Sequence, residues 1–169
     1  VVAVSVAGWL GLTVLLQAQA PLFQAGAPTP VGVGSGRLAL IDTNGDKHLD
    51  LIVHRPQREI VVRFGNGRGQ FSPAPGGPLE LGKIEPSAMT VGDVTGDGLP
   101  DVIVAHKDTA HEYIPVLPGD GRGGFRRTKR HGAGKSFEFY KPVIKLADVD
   151  ANGSTDIITS NGRRNTIEI

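Results

Sequence analysis

Asp42-Thr43-Asn44-Gly45-Asp46-Lys47-His48-Leu49-Asp50, followed by Leu51-Ile52-Val53, is the stretch on which the reading of this chain turns. A nine-residue acidic loop runs straight into an apolar, β-branched-rich triplet with the composition of a strand. The pattern returns as Asp93–Asp101 before Val102-Ile103-Val104, and as Asp148–Asp156 before Ile157-Ile158. The leading Asp residues lie 51 and then 55 positions apart, and nine of the 11 Asp fall in these three loops. A second landmark keeps the same phase. Phe64-Gly65-Asn66-Gly67-Arg68-Gly69-Gln70-Phe71 matches Pro118-Gly119-Asp120-Gly121-Arg122-Gly123-Gly124-Phe125, and its Asn-Gly and Asp-Gly dipeptides supply the positive φ of tight hairpin turns. Phe23, Phe71 and Phe125 precede the next acidic loop by 19, 22 and 23 residues.

Apolar strand-like segments precede the loops at Arg37–Ile41, Ala88–Val91 and Val143–Ala147. Each unit therefore reads as strand, acidic loop, strand, strand, Gly-rich turn, Phe and outer strand. Four short strands in about 50 residues is the size of one β-propeller blade. An all-β sandwich with coincidental Asp turns would not repeat two landmarks in phase. The expected fold is all-β, with four-stranded antiparallel blades forming an incomplete propeller of about three. The units fall near 23–71, 72–125 and 126–169 of a repeat region 21–169. The third Gly-rich turn would be due near position 171, so further blades are expected beyond this chain.

Within each loop, oxygen-bearing side chains occupy positions 1, 3, 5 and 9, and position 7 offers a backbone carbonyl. The sets are Asp42, Asn44, Asp46, the His48 carbonyl and Asp50; Asp93, Thr95, Asp97, the Leu99 carbonyl and Asp101; Asp148, Asp150, Asn152, the Ser154 carbonyl and Asp156. Three carboxylates plus neutral oxygens suit a hard cation taking six to eight oxygens, which points to Ca²⁺ at up to three sites. An EF-hand would need Glu at position 12 and a following helix. Position 12 is Val53, Val104 and Thr159, within strand-like segments. Metal-free Asx turns would explain one or two of these Asp, not the same pattern three times. Loop 1 carries Lys47 where the others have Gly98 and Gly153, at a turn position that strains a side chain. Loop 2 has Thr95, a weaker donor, and loop 3 has Ala151 in place of the first loop Gly.

The Asp-x-Asn-Gly-Asp-x-x-x-Asp loop, the apolar strand after it and Gly-Asn-Gly-x-Gly-x-Phe resemble FG-GAP/VCBS-type repeats of integrin α-subunit propellers and many secreted bacterial proteins. The resemblance covers about residues 23–169. It implies a propeller, usually seven-bladed, with Ca²⁺ stiffening the blades and partners bound on a rim built by other loops.

Composition narrows the rest. With 39% apolar and 21% charged residues the chain is ordinarily globular. Lys+Arg 18 against Asp+Glu 17 gives no bulk charge directed at nucleic acid. The absence of Cys excludes disulfides and thiolate chemistry. No charged residue or His precedes Arg37, and residues 1–16 are almost wholly apolar. Residues 1–20 therefore read as a signal peptide or an N-terminal membrane anchor, with Ala18 and Ala20 at an A-x-A-like cleavage site. Either option places the remainder outside the cytoplasm: secreted, periplasmic or at the cell surface.

Gly132-Ala133-Gly134-Lys135-Ser136 lacks the first glycine and the strand–helix context of a P-loop. The basic run Arg126, Arg127, Lys129, Arg130, His131 and Lys135 reads as a solvated loop, and Phe137, Phe139 and Tyr140 as inter-blade packing. The five His (48, 54, 106, 111, 131) show no metal-ligand spacing, and His54 and His106 read as solvated strand ends. No catalytic grouping is visible. The expected function is a secreted calcium-binding propeller module for binding or scaffolding, its partner an unknown protein or polysaccharide. The rival is the propeller part of a carbohydrate-active or lipid-cleaving enzyme resembling polysaccharide lyases.

Overall fold

The computed structural model describes residues 36–84, 86–106, 113–126, 129–132, 143–161 and 166–169, with Pro28 and Pro30. Residues 1–20, Phe23, His111, Lys135, Phe137, Phe139 and Tyr140 lie outside the described residues. The described residues contain strands and no helix.

Three antiparallel sheets follow one another along the chain. The first holds β1 (Leu38–Ile41), β2 (Asp50–Arg55), β3 (Glu59–Gly65) and β4 (Phe71–Pro73) in that order, with β5 (Leu79–Glu80) also on β3. The second runs β6 (Pro86–Gly92), β7 (Asp101–His106), β8 (Tyr113–Leu117), β9 (Lys129–Gly132). The third runs β10 (Ile144–Ala147), β11 (Asp156–Asn161), β12 (Thr166–Glu168). These are propeller blades: up-and-down antiparallel strands, each Asp loop joining the first strand to the second.

The registers repeat with the sequence. Ile41 pairs with Asp50, Gly92 with Asp101 and Ala147 with Asp156, so every acidic loop closes on its own position 9. Gly65 pairs with Phe71 and Gly119 with Phe125, so the Gly-rich turns also correspond. β4 and β5 stay in the sheet of β3, and β9 in that of β8, so the first two sheets continue past the Phe that marks the sequence period. The β2–β3 hairpin uses Pro56-Gln57-Arg58. Arg58 N–H donates to the Arg55 carbonyl (3.0 Å), and Arg58 takes a φ of 61° that brings the chain back into register. Arg55 and Glu59 then face each other across the strands at 3.2 Å.

Stacking supplies the core. All six residues of β7 are buried. Val102 and Val104, with Leu117, pack with Ile52, Ile60 and Val62 of the first sheet; Ile103 and Ala105, with Ile114 and Val116, pack with Ile144 of the third. An uninterrupted apolar run suits a strand covered on both faces. Two close approaches set the stacking. A Cβ on Gly123 would collide with the ring of Phe64 in the first sheet, and one on Gly92 would lie 2.7 Å from Leu146 Cδ1 in the third. Arg37 Nη2 also donates to the Ser87 carbonyl of β6 (2.6 Å). His54 and His106 are buried near the ends of β2 and β7 at 8% and 1% exposure. This corrects the solvated-end reading: both rings are covered, and the chain at Gly36, whose N–H donates to the His54 carbonyl (3.0 Å), runs close beside the His54 ring.

Candidate metal centre

The three acidic loops share one backbone design. Positions 4 and 6 lie at positive φ in each: Gly45, Gly96 and Ala151 at 80°, 74° and 59°, then Lys47, Gly98 and Gly153 at 68°, 81° and 87°. Two left-handed residues in three coil the loop tightly enough for its own carboxylates to cap its amides. The position 1 carboxylate accepts from at least two amides, and Asp42 from a third, Asn44 N–H (3.2 Å). Asp42 takes Gly45 N–H (2.7 Å) and Lys47 N–H (2.8 Å); Asp93 takes Gly96 (2.7 Å) and Gly98 (2.8 Å); Asp148 takes Asn152 (3.1 Å) and Gly153 (2.8 Å). Position 5 caps position 7, with His48, Leu99 and Ser154 N–H donating to Asp46, Asp97 and Asn152 at 2.8, 2.9 and 2.7 Å. At position 3, Asn44 accepts from Asp46 N–H (2.9 Å) and Asp150 from Asn152 N–H (3.1 Å).

Position 9 behaves differently. Asp50 and Asp101 are fully buried. Asp50 Oδ2 accepts from the amide (2.9 Å) and the hydroxyl of Thr43, and its Oδ1 from Gly65 N–H (2.9 Å). Asp101 Oδ2 accepts from Val94 and Thr95 N–H (3.0 Å each) and its Oδ1 from Gly119 N–H (3.0 Å). A buried carboxylate without such donors would cost several kcal/mol (about 1–3 per lost partner). The glycine of the second landmark is thus the far jaw of a clamp. A Cβ on Gly65 would strike the Leu49 carbonyl and one on Gly119 the Pro100 carbonyl. The sequence places Gly65 and Gly119 in the Gly-rich landmark but gives the turn-forming role to Gly67 and Gly121, and the clamp is not read from it; the fixed phase of Gly65 and Gly119 after position 9 is the available signal. In the third loop Asp156 Oδ2 accepts from Val149 N–H (2.9 Å).

The side chain at position 7 covers the Gly-rich turn. A Cβ on Gly67 would meet the His48 ring, and one on Gly121 would lie 3.2 Å from Leu99 Cδ2. His48 Nδ1 also sits 3.4 Å from Asp46 Oδ1. The His48 amide, then Asn44 and the His48 ring, hold the Asp46 carboxyl below its ordinary range.

Carboxylates converge most closely in loop 3. Asp148, Asp150 and Asp156 each bring an oxygen within 4.8 Å of the other two, and no other such trio of acidic or His side chains occurs among the described residues. Oxygens bound to one Ca²⁺ at 2.3–2.6 Å can be no more than about 5 Å apart, so this set fits a hard divalent cation in both donor type and spacing. Its third carboxylate stands at position 3. In loops 1 and 2 that carboxylate is at position 5, where Asp46 and Asp97 are exposed.

Residues 42–104 match the FG-GAP-like repeat. Over that stretch, a little over a third of the chain, the sequence is similar to this repeat. The matched stretch runs from the first acidic loop through the second loop and into β7. No curated protein matches the chain. Among solved structures, the Photorhabdus luminescens Tc holotoxin pore superposes with a TM-score of 0.55 at 21% identity, over 77% of this chain. The TcdB2-TccC3 structure does so with a TM-score of 0.54 at 21% identity, over 73%. This chain spans only 6% of the length of either. At that identity the likeness is one of fold, and with the three stacked sheets it makes the chain a β-propeller-like repeat module.

Proposed function

We propose that this FG-GAP-like segment is a calcium-stabilised binding or scaffolding module working outside the cytoplasm, with a protein or polysaccharide as partner. The convergence of Asp148, Asp150 and Asp156 carries the calcium reading, supported by the same backbone coil in the other two loops. The ion supplies positive charge that offsets the repulsion among the loop carboxylates. The chain supplies the coil, the backbone carbonyls of His48, Leu99 and Ser154, and the stacked sheets that hold each loop at a strand junction. The export reading rests on the apolar, uncharged residues 1–16. The scaffold reading rests on a fold devoted to stacking: buried polar side chains such as Thr43, Asp50 and Asp101 are tied to backbone groups of the frame.

Sites of the extracellular type bind Ca²⁺ at roughly 10⁻⁴–10⁻³ M. At ten times Kd each occupied site adds about 1.4 kcal/mol to the folded state. Thermal unfolding followed by far-UV circular dichroism, in EDTA, in millimolar Ca²⁺ and in millimolar Mg²⁺, tests the reading. A midpoint raised by several degrees in Ca²⁺ alone is expected. A folded protein whose midpoint is the same in all three buffers would leave the loops as metal-free turns.

A further inference from the structure

The clamp at each position 9 does not end within its own sheet. Gly123 N–H, in the second sheet's Gly-rich turn, donates to the carbonyl of Thr43 in the first sheet's acidic loop (3.1 Å). Thr43 gives its amide and hydroxyl to Asp50, and Asp50 holds Gly65. From Gly123 in the other direction, the turn is closed by Asp120, whose Oδ1 accepts from Arg122 N–H (2.8 Å) and Gly124 N–H (2.9 Å). Gly119 at the start of that turn is held by Asp101, which also takes Val94 and Thr95 of the second loop. Gly123 is seated against the Phe64 ring with no room for a side chain.

We infer that this chain of bonds couples the acidic loops of neighbouring blades, so that loosening the second sheet's Gly-rich turn loosens the first sheet's acidic loop. The chain runs Thr95, Asp101, Gly119, Gly123, Thr43, Asp50, Gly65, every link a backbone amide, a carbonyl or a buried carboxylate except the short turn 119–123. Such a contiguous network carries coupling when its members shift together. The inference goes beyond the calcium reading and does not need an ion.

Amide hydrogen exchange on the whole chain in EDTA tests it. Asp120 is exposed, so Asp120→Ala opens the turn without disturbing the core. Exchange at Thr43 and Gly65, in the other sheet, is expected to quicken roughly three- to tenfold, while Val149, off the path, and Ile103 and Ala105 in the core stay at wild-type rates. Asp120→Asn, which keeps an acceptor as Asn66 does in the first turn, is expected to restore Thr43 and Gly65. Quickening confined to residues 119–124 overturns the coupling. Should the core amides quicken as well, the wild type in sub-denaturing urea decides: Gly123, Thr43 and Gly65 must share one urea dependence, and three separate dependences overturn it.

Discussion

Position 6 of the acidic loop is lysine once and glycine twice, yet all three residues adopt the same left-handed backbone. A side chain there costs about 1–2 kcal/mol, and glycine returns part of that through its greater freedom in the unfolded chain. Lys47→Gly should therefore stabilise the fold by about 0.5–1 kcal/mol, and Ala151→Gly at position 4 of the third loop should act the same way. Urea midpoints at constant slope measure both. The buried clamp predicts the opposite sign. Asp101→Ala strands the amides of Val94, Thr95 and Gly119 at about 1–3 kcal/mol for each that water cannot reach, a loss of several kcal/mol on the same urea curves. Asp46 gives a smaller, pH-dependent effect. Its carboxyl is held below its ordinary value of 3.8 in the folded chain, so its contribution is present above that ordinary value and fades as the pH falls through the lowered one. Stability measured down that range should decline less steeply in Asp46→Asn than in the wild type.

At the scale of the element, β7 shows what could be read from sequence and what could not. The run Val102-Ile103-Val104 announced a strand, and its place after an acidic loop announced its neighbours. That alternate residues serve two different cores follows only from the stacking of sheets. Ile103→Ala should cost about 2–5 kcal/mol, whereas Leu38→Ala, on an exposed site of β1, should fall within about 0.5 kcal/mol of wild type. Thermal or urea unfolding of the pair checks the contrast. The 1-3-5-9 spacing likewise marked the acidic positions, because alternation along a coiled loop is local. How each carboxylate divides its oxygens between amides and a cation was not legible, since Gly65 and Gly119 reach position 9 from 15 and 18 residues away. The burial of His54 and His106 was hidden as well, since a strand end is exposed or covered according to what the fold brings beside it.

For the whole molecule, the middle sheet is the hinge of stability. It shares one apolar interface with each neighbour, so its central strand cannot open without both. The amides of Val102–Ala105 should be the slowest to exchange in the chain and should report the global unfolding free energy, with β12 and β1 exchanging by local opening. Equal protection across the three sheets would argue against that arrangement. The seat of Gly123 against Phe64 carries one more meaning. The residue matching Phe64 in the second repeat is Pro118, and where Gly92 admits Leu146 the first repeat has Ile41. Each junction between blades is therefore individually keyed. Repeats that look interchangeable along the sequence have fixed addresses in space, and a chain with the first two transposed would put proline where an aromatic ring stands and isoleucine where the Leu146 side chain would have to move aside.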